Sequence, residues 1–239
     1  MAPVLSIIFV WIILHYFKPT LCPQEAWFEK YAFLFNYQLS RFIKNQKINQ
    51  VIIILIPICL FGIVFYVLKM KHLYIISFIL STVVLWYGCI YQLKVEVLPS
   101  ALQAQEEEIF AKPLTRSFTV ILWFLLLGPL GVLLYDFLRR LDFFPLNNLL
   151  EWPAARVLGF GYGLAGHFPP VFSYWSHHLF SDVSENQQYI KNCGYLALYG
   201  SLDSHSVNDQ SLLQAKALVR RAKMMLFIVV VIFSIGVML

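Results

Sequence analysis

Long uncharged apolar runs, separated by short polar or basic breaks, set the pattern of this chain. Residues 51–68 and 73–93 contain no charged side chain, and only Lys69-Met70-Lys71-His72 separates them. As helices, runs of this length reach about 30 Å, the thickness of a bilayer's hydrocarbon core. The pair therefore predicts a transmembrane hairpin. Residues 1–17 are apolar apart from Ser6 and His15 and predict an earlier, uncleaved span. Residues 117–138 predict a fourth, interrupted by Gly128-Pro129-Leu130-Gly131. Proline removes a backbone donor there, so a kink is expected. Residues 152–172 are long enough to form a fifth span, but they include Arg156, His167 and Pro169-Pro170. Two readings stay open for them: a full crossing, or a re-entrant or interfacial segment. Residues 224–239 form an apolar C-terminal run introduced by Arg220-Arg221-Ala222-Lys223.

The predicted fold class is therefore all-α: one polytopic membrane helix bundle over residues 1–239, with five or six transmembrane helices. In the first loop, Trp27, Tyr31, Phe35, Leu39 and Phe42 recur at helical spacing, with Arg41, Lys44 and Lys47 at the end. That combination predicts an amphipathic helix lying on the bilayer surface. The loop over 94–116 carries Glu106-Glu107-Glu108, an acidic run that reads as a solvated face. The loop over 173–216 is mixed and polar, with Asp203-Ser204-His205-Ser206 as its most loop-like stretch. No internal repeat or low-complexity segment is present.

Composition agrees with this pattern. Hydrophobic residues make up 59% of the chain and charged residues 13%, and mean hydropathy is +0.69. A water-facing domain carries about twice that charged fraction. The formal charge of +5 does not mark a nucleic-acid binder, because the basic residues sit in small groups beside the apolar runs rather than along one stripe. With six spans, thirteen of the eighteen Lys and Arg fall in the loops after spans one, three and five. The positive-inside rule then places those loops in the cytoplasm and the N-terminus outside. The bilayer is the expected partner.

Candidate chemistry is sparse. Cys22, Cys59, Cys89 and Cys193 form no CxxC pair, which predicts neither a disulfide framework nor zinc. His177-His178, with His167 and Asp182 nearby, are adjacent residues about 100° apart on a helix and share no face, so no metal site is expected. They follow Phe172, Tyr174 and Trp175 and read as interfacial polar residues. Arg156 stands out, since an ionisable group inside an apolar segment is costly and is a functional candidate by default. Its spacing from Trp152 would also let it snorkel to the interface. Asp136 precedes Arg139 and Arg140 at helical pairing distance. Arg156, His167, Asp136, Arg139 and Arg140 are therefore the candidate ligand- or partner-binding residues. Ala155, Gly159 and Gly163 put small residues four apart, a spacing that lets helices approach closely. There is no GxSxG elbow, phosphate loop or HExxH, and Gly159-Phe160-Gly161-Tyr162-Gly163 lacks the strand–turn–helix setting of a dinucleotide site. No catalytic residue and no cofactor are expected.

Two stretches, RSFTVILWFLLLGPLGVLLYDFLRRL over 116–141 and LEWPAARVLGFGYGLAGHF over 150–168, resemble the AmpE family of bacterial inner-membrane proteins. Trp123-Phe124, Gly128-Pro129-Leu130-Gly131, Leu134-Tyr135 and Leu150-Glu151-Trp152 followed by Arg156 carry the resemblance. The basic stretch from Ala215-Lys216 to Lys223 before a Val-rich helix is also similar, and together these regions cover about a third of the chain. The resemblance implies a multi-pass inner-membrane signalling modulator of β-lactamase induction, linked to cell-wall recycling and meeting a ligand or protein partner through cytoplasmic loops. AmpE proteins look related to the CobD/CbiB membrane enzymes, which attach aminopropanol or its phosphate to a corrinoid acid. That relation implies an alternative, a corrinoid amide-bond synthase. CobD/CbiB proteins carry a pattern resembling ES-x-x-EN-x-x-DG before the equivalent span. Here Phe110-Ala111-Lys112-Pro113-Leu114-Thr115-Arg116-Ser117 stands in its place, without the carboxylates and amide. The scaffold is thus implied and the chemistry is not. A small transporter is a third reading, disfavoured because the spans hold almost no mid-membrane polar groups beyond Arg156 and His167.

Overall fold

The structure, a computed structural model, describes residues 46–91, 108–111, 118–140, 144–202 and 209–236. The first span, the first-loop amphipathic helix, most of 94–116 and Asp203-Ser204-His205-Ser206 lie outside the described residues. Every regular element among the described residues is helical. In chain order these are α1 (Gln46–Met70), α2 (Tyr74–Tyr91), α3 (Thr119–Leu127), α4 (Pro129–Arg140), α5 (Phe144–Ala165), α6 (Phe168–His177), α7 (Asn186–Tyr199) and α8 (Asp209–Gly236), with a short 3-10 turn at Val183–Glu185 before α7. The chain divides into two compact units, one of Met1–Lys94 with Trp123–Phe144, the other of Val95–Leu122 with Pro145–Leu239.

In the first unit, α1, α2 and α4 pack against one another. α1 is 25 residues long, about 37 Å. Ile53, Ile54 and Phe65 are buried, whereas Leu60, Ile63 and Tyr66 are 59%, 63% and 64% exposed. Among the described residues one segment, Ile52–Met70, is long and apolar enough to cross a membrane, and Tyr74–Gly88 is apolar but shorter. The turn between α1 and α2 is tight. His72 takes a positive φ of 54°, and its Nδ1 lies 2.9 Å from the Tyr74 hydroxyl. In α2 the hydroxyls of Ser81 and Thr82 donate to the Ser77 and Phe78 carbonyls at 2.7 and 2.9 Å. Each polar group is thereby satisfied inside its own helix.

The expected kink at Gly128-Pro129 is a full break. Gly128 has φ +68°, and Pro129 opens α4 at its first helical position, where no N–H is required.

The second unit bears on two sequence expectations. Residues 152–172 are not one helix: α5 begins earlier, at Phe144, and ends at Ala165, after which the chain turns at Gly166-His167 into α6. Pro169 and Pro170 sit in the first turn of α6, where their lack of N–H costs nothing. The stretch 173–216 is not mainly loop, because it holds the end of α6, all of α7 and the start of α8. α6 folds back along α5, as the Phe160–Phe168 and Phe160–Trp175 ring contacts show. α7 runs parallel to α5: Arg156 meets Asn186, Gly159 faces Tyr189 and Cys193, and Gly166 lies against Ala197. α8 returns antiparallel, with Leu226 against Gly161. Ala154, Ala155, Leu158 and Tyr162 of α5 form a core with Ile190 and Cys193 of α7 and Ala215, Leu218 and Ala222 of α8. The close approach expected from Ala155, Gly159 and Gly163 is thus met by α7 at Gly159 and by Val171 of α6 at Gly163. The helical turn at 108–111 joins this core through Phe110, whose carbonyl accepts from the Tyr162 hydroxyl at 2.7 Å.

Candidate functional site

Arg156 does not snorkel outward. It is 4% exposed and points at the chain between α6 and α7. Its Nε donates to the Leu179 carbonyl at 2.9 Å, and Nη2 donates to the Ser181 hydroxyl at 2.9 Å and the Ser181 carbonyl at 3.3 Å. Nη1 reaches Oδ1 of Asn186 at 3.5 Å. The guanidinium lies 4.0 Å from the Tyr189 ring centroid and 5.3 Å from that of Trp152. Such a planar fork, stacked on aromatic faces and bonded to carbonyls, is a geometry lysine cannot copy. Neighbouring bonds extend the cluster: Trp175 Nε1 donates to the Arg156 carbonyl, Asn186 Nδ2 to the Asn148 carbonyl, and Asn192 Nδ2 to the Tyr174 hydroxyl. The arrangement pins the α6–α7 connection to α5.

The thiol of Cys193 adjoins this cluster, buried under Gly159 with Tyr189. Burial pushes its thiol up to about 12, so it stays protonated and unreactive near neutrality. In the adjoining loop, Asp182 accepts from the Ser184 backbone and side chain, which hold its carboxyl below the ordinary range. His177 and His178 each turn a ring Nδ1 onto a carbonyl of their own helix, Ser173 at 2.7 Å and Tyr174 at 2.9 Å. Among the described residues no group of three or more His, Cys, Asp or Glu is assembled around one point.

His167 lies elsewhere, at the opposite end of α5 from the Arg156 cluster. Its backbone N–H donates to the Ala197 carbonyl at 2.9 Å, closing the turn against the end of α7. Its exposed side chain borders an open cleft of about 380 Å³, into which Gln214 and Arg221 also face from α8. The rest of the wall is small and apolar: Ala165, Gly166, Ala197, Leu198, Ala217 and Leu218. Among the described residues no carboxylate lines it. An imidazole, an amide and a guanidinium around an apolar floor can hold an anionic group of modest size. The sequence had marked His167 but gave Gln214 and Arg221 no such role. The signal was present in their separation of seven residues, which places both on one face of a helix.

In the first unit, Asp136 and Arg140 form a buried ion pair at 2.9 Å, and Arg140 Nη2 donates to the Tyr87 hydroxyl at 3.1 Å while lying over that ring. Of the two arginines expected beside Asp136, Arg140 makes this bond, and Arg139 is half-buried one position earlier. The five sequence candidates therefore occupy three separate settings: Arg156 in one, His167 in another, and Asp136, Arg139 and Arg140 together on α4.

No family model, no curated protein and no solved structure matches this chain.

Proposed function

We propose that the chain is a multi-pass inner-membrane protein with an AmpE-like regulatory or sensory role, meeting a ligand or partner from the cytoplasmic side and turning over no substrate. The observation that carries the membrane part of this reading is the apolar surface of α1, where Leu60, Ile63 and Tyr66 are each more than half exposed among the described residues. Surface of that kind is stable only against lipid or another protein. The regulatory part is supported by the resemblance of 116–141 and 150–168, and by the setting of the polar groups. Arg156 is engaged by protein acceptors, and the cleft at His167 presents an imidazole, an amide and a guanidinium as binding groups.

The test has two parts. The full chain should remain in the membrane pellet after alkaline extraction, and recovery in the supernatant overturns the membrane reading. Deletion of the gene in a host with inducible β-lactamase should alter the induction produced by a β-lactam. An unchanged response overturns the regulatory role while leaving the membrane reading standing.

A further inference from the structure

We propose that the cleft at His167 and Arg221 is a binding site for an anionic phospholipid, taking the phosphate headgroup while the acyl chains lie along α8. This inference rests on the membrane reading above. At about 100° per residue, Gln214, Arg221, Met225, Ile228 and Ile232 fall within about 60° of one another around the helix axis. The first two face the cleft. The last three are 40%, 55% and 64% exposed and continue the same face as an apolar strip about 10 Å long. A polar pocket with a guanidinium, directly continuous with an uncovered apolar strip, matches an amphiphile and not a free ion.

Charge complementarity selects the headgroup. Arg221 lines the cleft, Lys216 is exposed within the same two turns, and Asp209 is the only acid on α8. The ends of α5 and α7 bring carbonyl oxygens towards the cleft, which would repel an anion if left bare. The Ala197 carbonyl is occupied by the His167 N–H, leaving Arg221, Gln214 and the imidazole as the groups that meet the phosphate. The transition from polar to apolar side chains on α8 falls between Arg221 and Met224, the level at which headgroups meet acyl chains.

The experiment uses the full chain extracted in mild detergent and incubated with equimolar phosphatidylglycerol and phosphatidylcholine, the retained lipid being counted by native mass spectrometry. Phosphatidylglycerol should be retained preferentially. R221Q should lower its retention about fivefold, the worth of one basic residue at an anionic surface. R220Q, changed one position round the helix and away from the cleft, should have little effect. The double variant I228S/I232S should weaken retention with Arg221 intact. Glycerol 3-phosphate at millimolar concentration should not displace the lipid. Equal retention of the two lipids overturns the proposal, as do equal losses in R220Q and R221Q. Full displacement by glycerol 3-phosphate overturns it in favour of a soluble phosphate ligand. A chain recovered outside the membrane removes the membrane reading and this inference together. A membrane-embedded chain without selective retention removes this inference alone.

Discussion

At the residue scale the strongest constraint is the buried charge of Arg156. Its donors are satisfied by Leu179, Ser181 and Asn186, and its face by Tyr189. Truncation to alanine removes bonds to the part-buried Leu179 and Ser181 acceptors and to the buried Asn186, and bonds to a charged group are worth about 1.5–3 kcal/mol each. R156A should therefore destabilise the folded chain by about 2–4 kcal/mol. R156K should recover only part of this, because an ammonium cannot make the forked contacts. Thermal unfolding of the purified variants in detergent checks the order, and equal stability of R156A and wild type would show that the cluster carries no load. Cys193 supplies a pH test. Its thiol is raised from about 9 to about 12 by burial, so the folded state favours the protonated form. The stability this gives is complete below about pH 9 and is lost as pH rises towards 12. Maleimide should fail to label Cys193 at pH 8 in the folded chain and label it fully after denaturation, as read by mass spectrometry of its peptide.

At the element scale, helices were legible where periodicity was not needed to find them. The runs 51–68 and 73–93 became α1 and α2 with boundaries shifted by a few residues, because an uncharged run of that length has few alternatives. α7 was missed because Asn186, Gln187, Gln188, Lys191 and Asn192 make it look like loop. The pattern that betrays it is Tyr189, Ile190, Cys193, Leu196 and Ala197 at helical spacing, closed by Gly200 in the left-handed conformation. The fold-back at Gly166 was legible only as the re-entrant alternative for 152–172, for a different reason. It depends on Ala197, thirty-one positions later, approaching a glycine that has no side chain. A methyl group at Gly166 would overlap the Ala197 backbone carbonyl, which cannot move without shifting α7. A methyl group at Gly161 would meet first the Leu226 side chain, Cδ1 at 2.7 Å and Cγ at 3.0 Å, which can give more readily than backbone. G166A should accordingly cost about 2 kcal/mol or more, and G161A about 1 kcal/mol. Parallel melts of the two variants decide this, and a reversed order would mean that the α5–α7 contact is not tight.

At the scale of the whole molecule, the same side chains have opposite meanings in water and in lipid, and this gives a decisive substitution. Ile63 is 63% exposed on α1 and belongs to none of the buried positions of its unit. If that surface faced water, Ile63→Arg would replace an exposed apolar group by a charged one and leave stability within about 0.5 kcal/mol. If it faces acyl chains, an arginine near the middle of the segment Ile52–Met70 costs about 2.5–3.5 kcal/mol on insertion. An exchange at a buried position cannot separate these cases, since Phe65→Arg would disrupt the packing of α1 in either solvent. Ile63→Arg should therefore reduce the alkali-resistant membrane fraction several-fold, whereas Ile63→Leu should leave it unchanged. The sign of this effect depends only on what covers α1, and not on the identity of any ligand. An arginine variant that stays fully membrane-associated, with an unchanged melting profile, would place the face against something other than hydrocarbon.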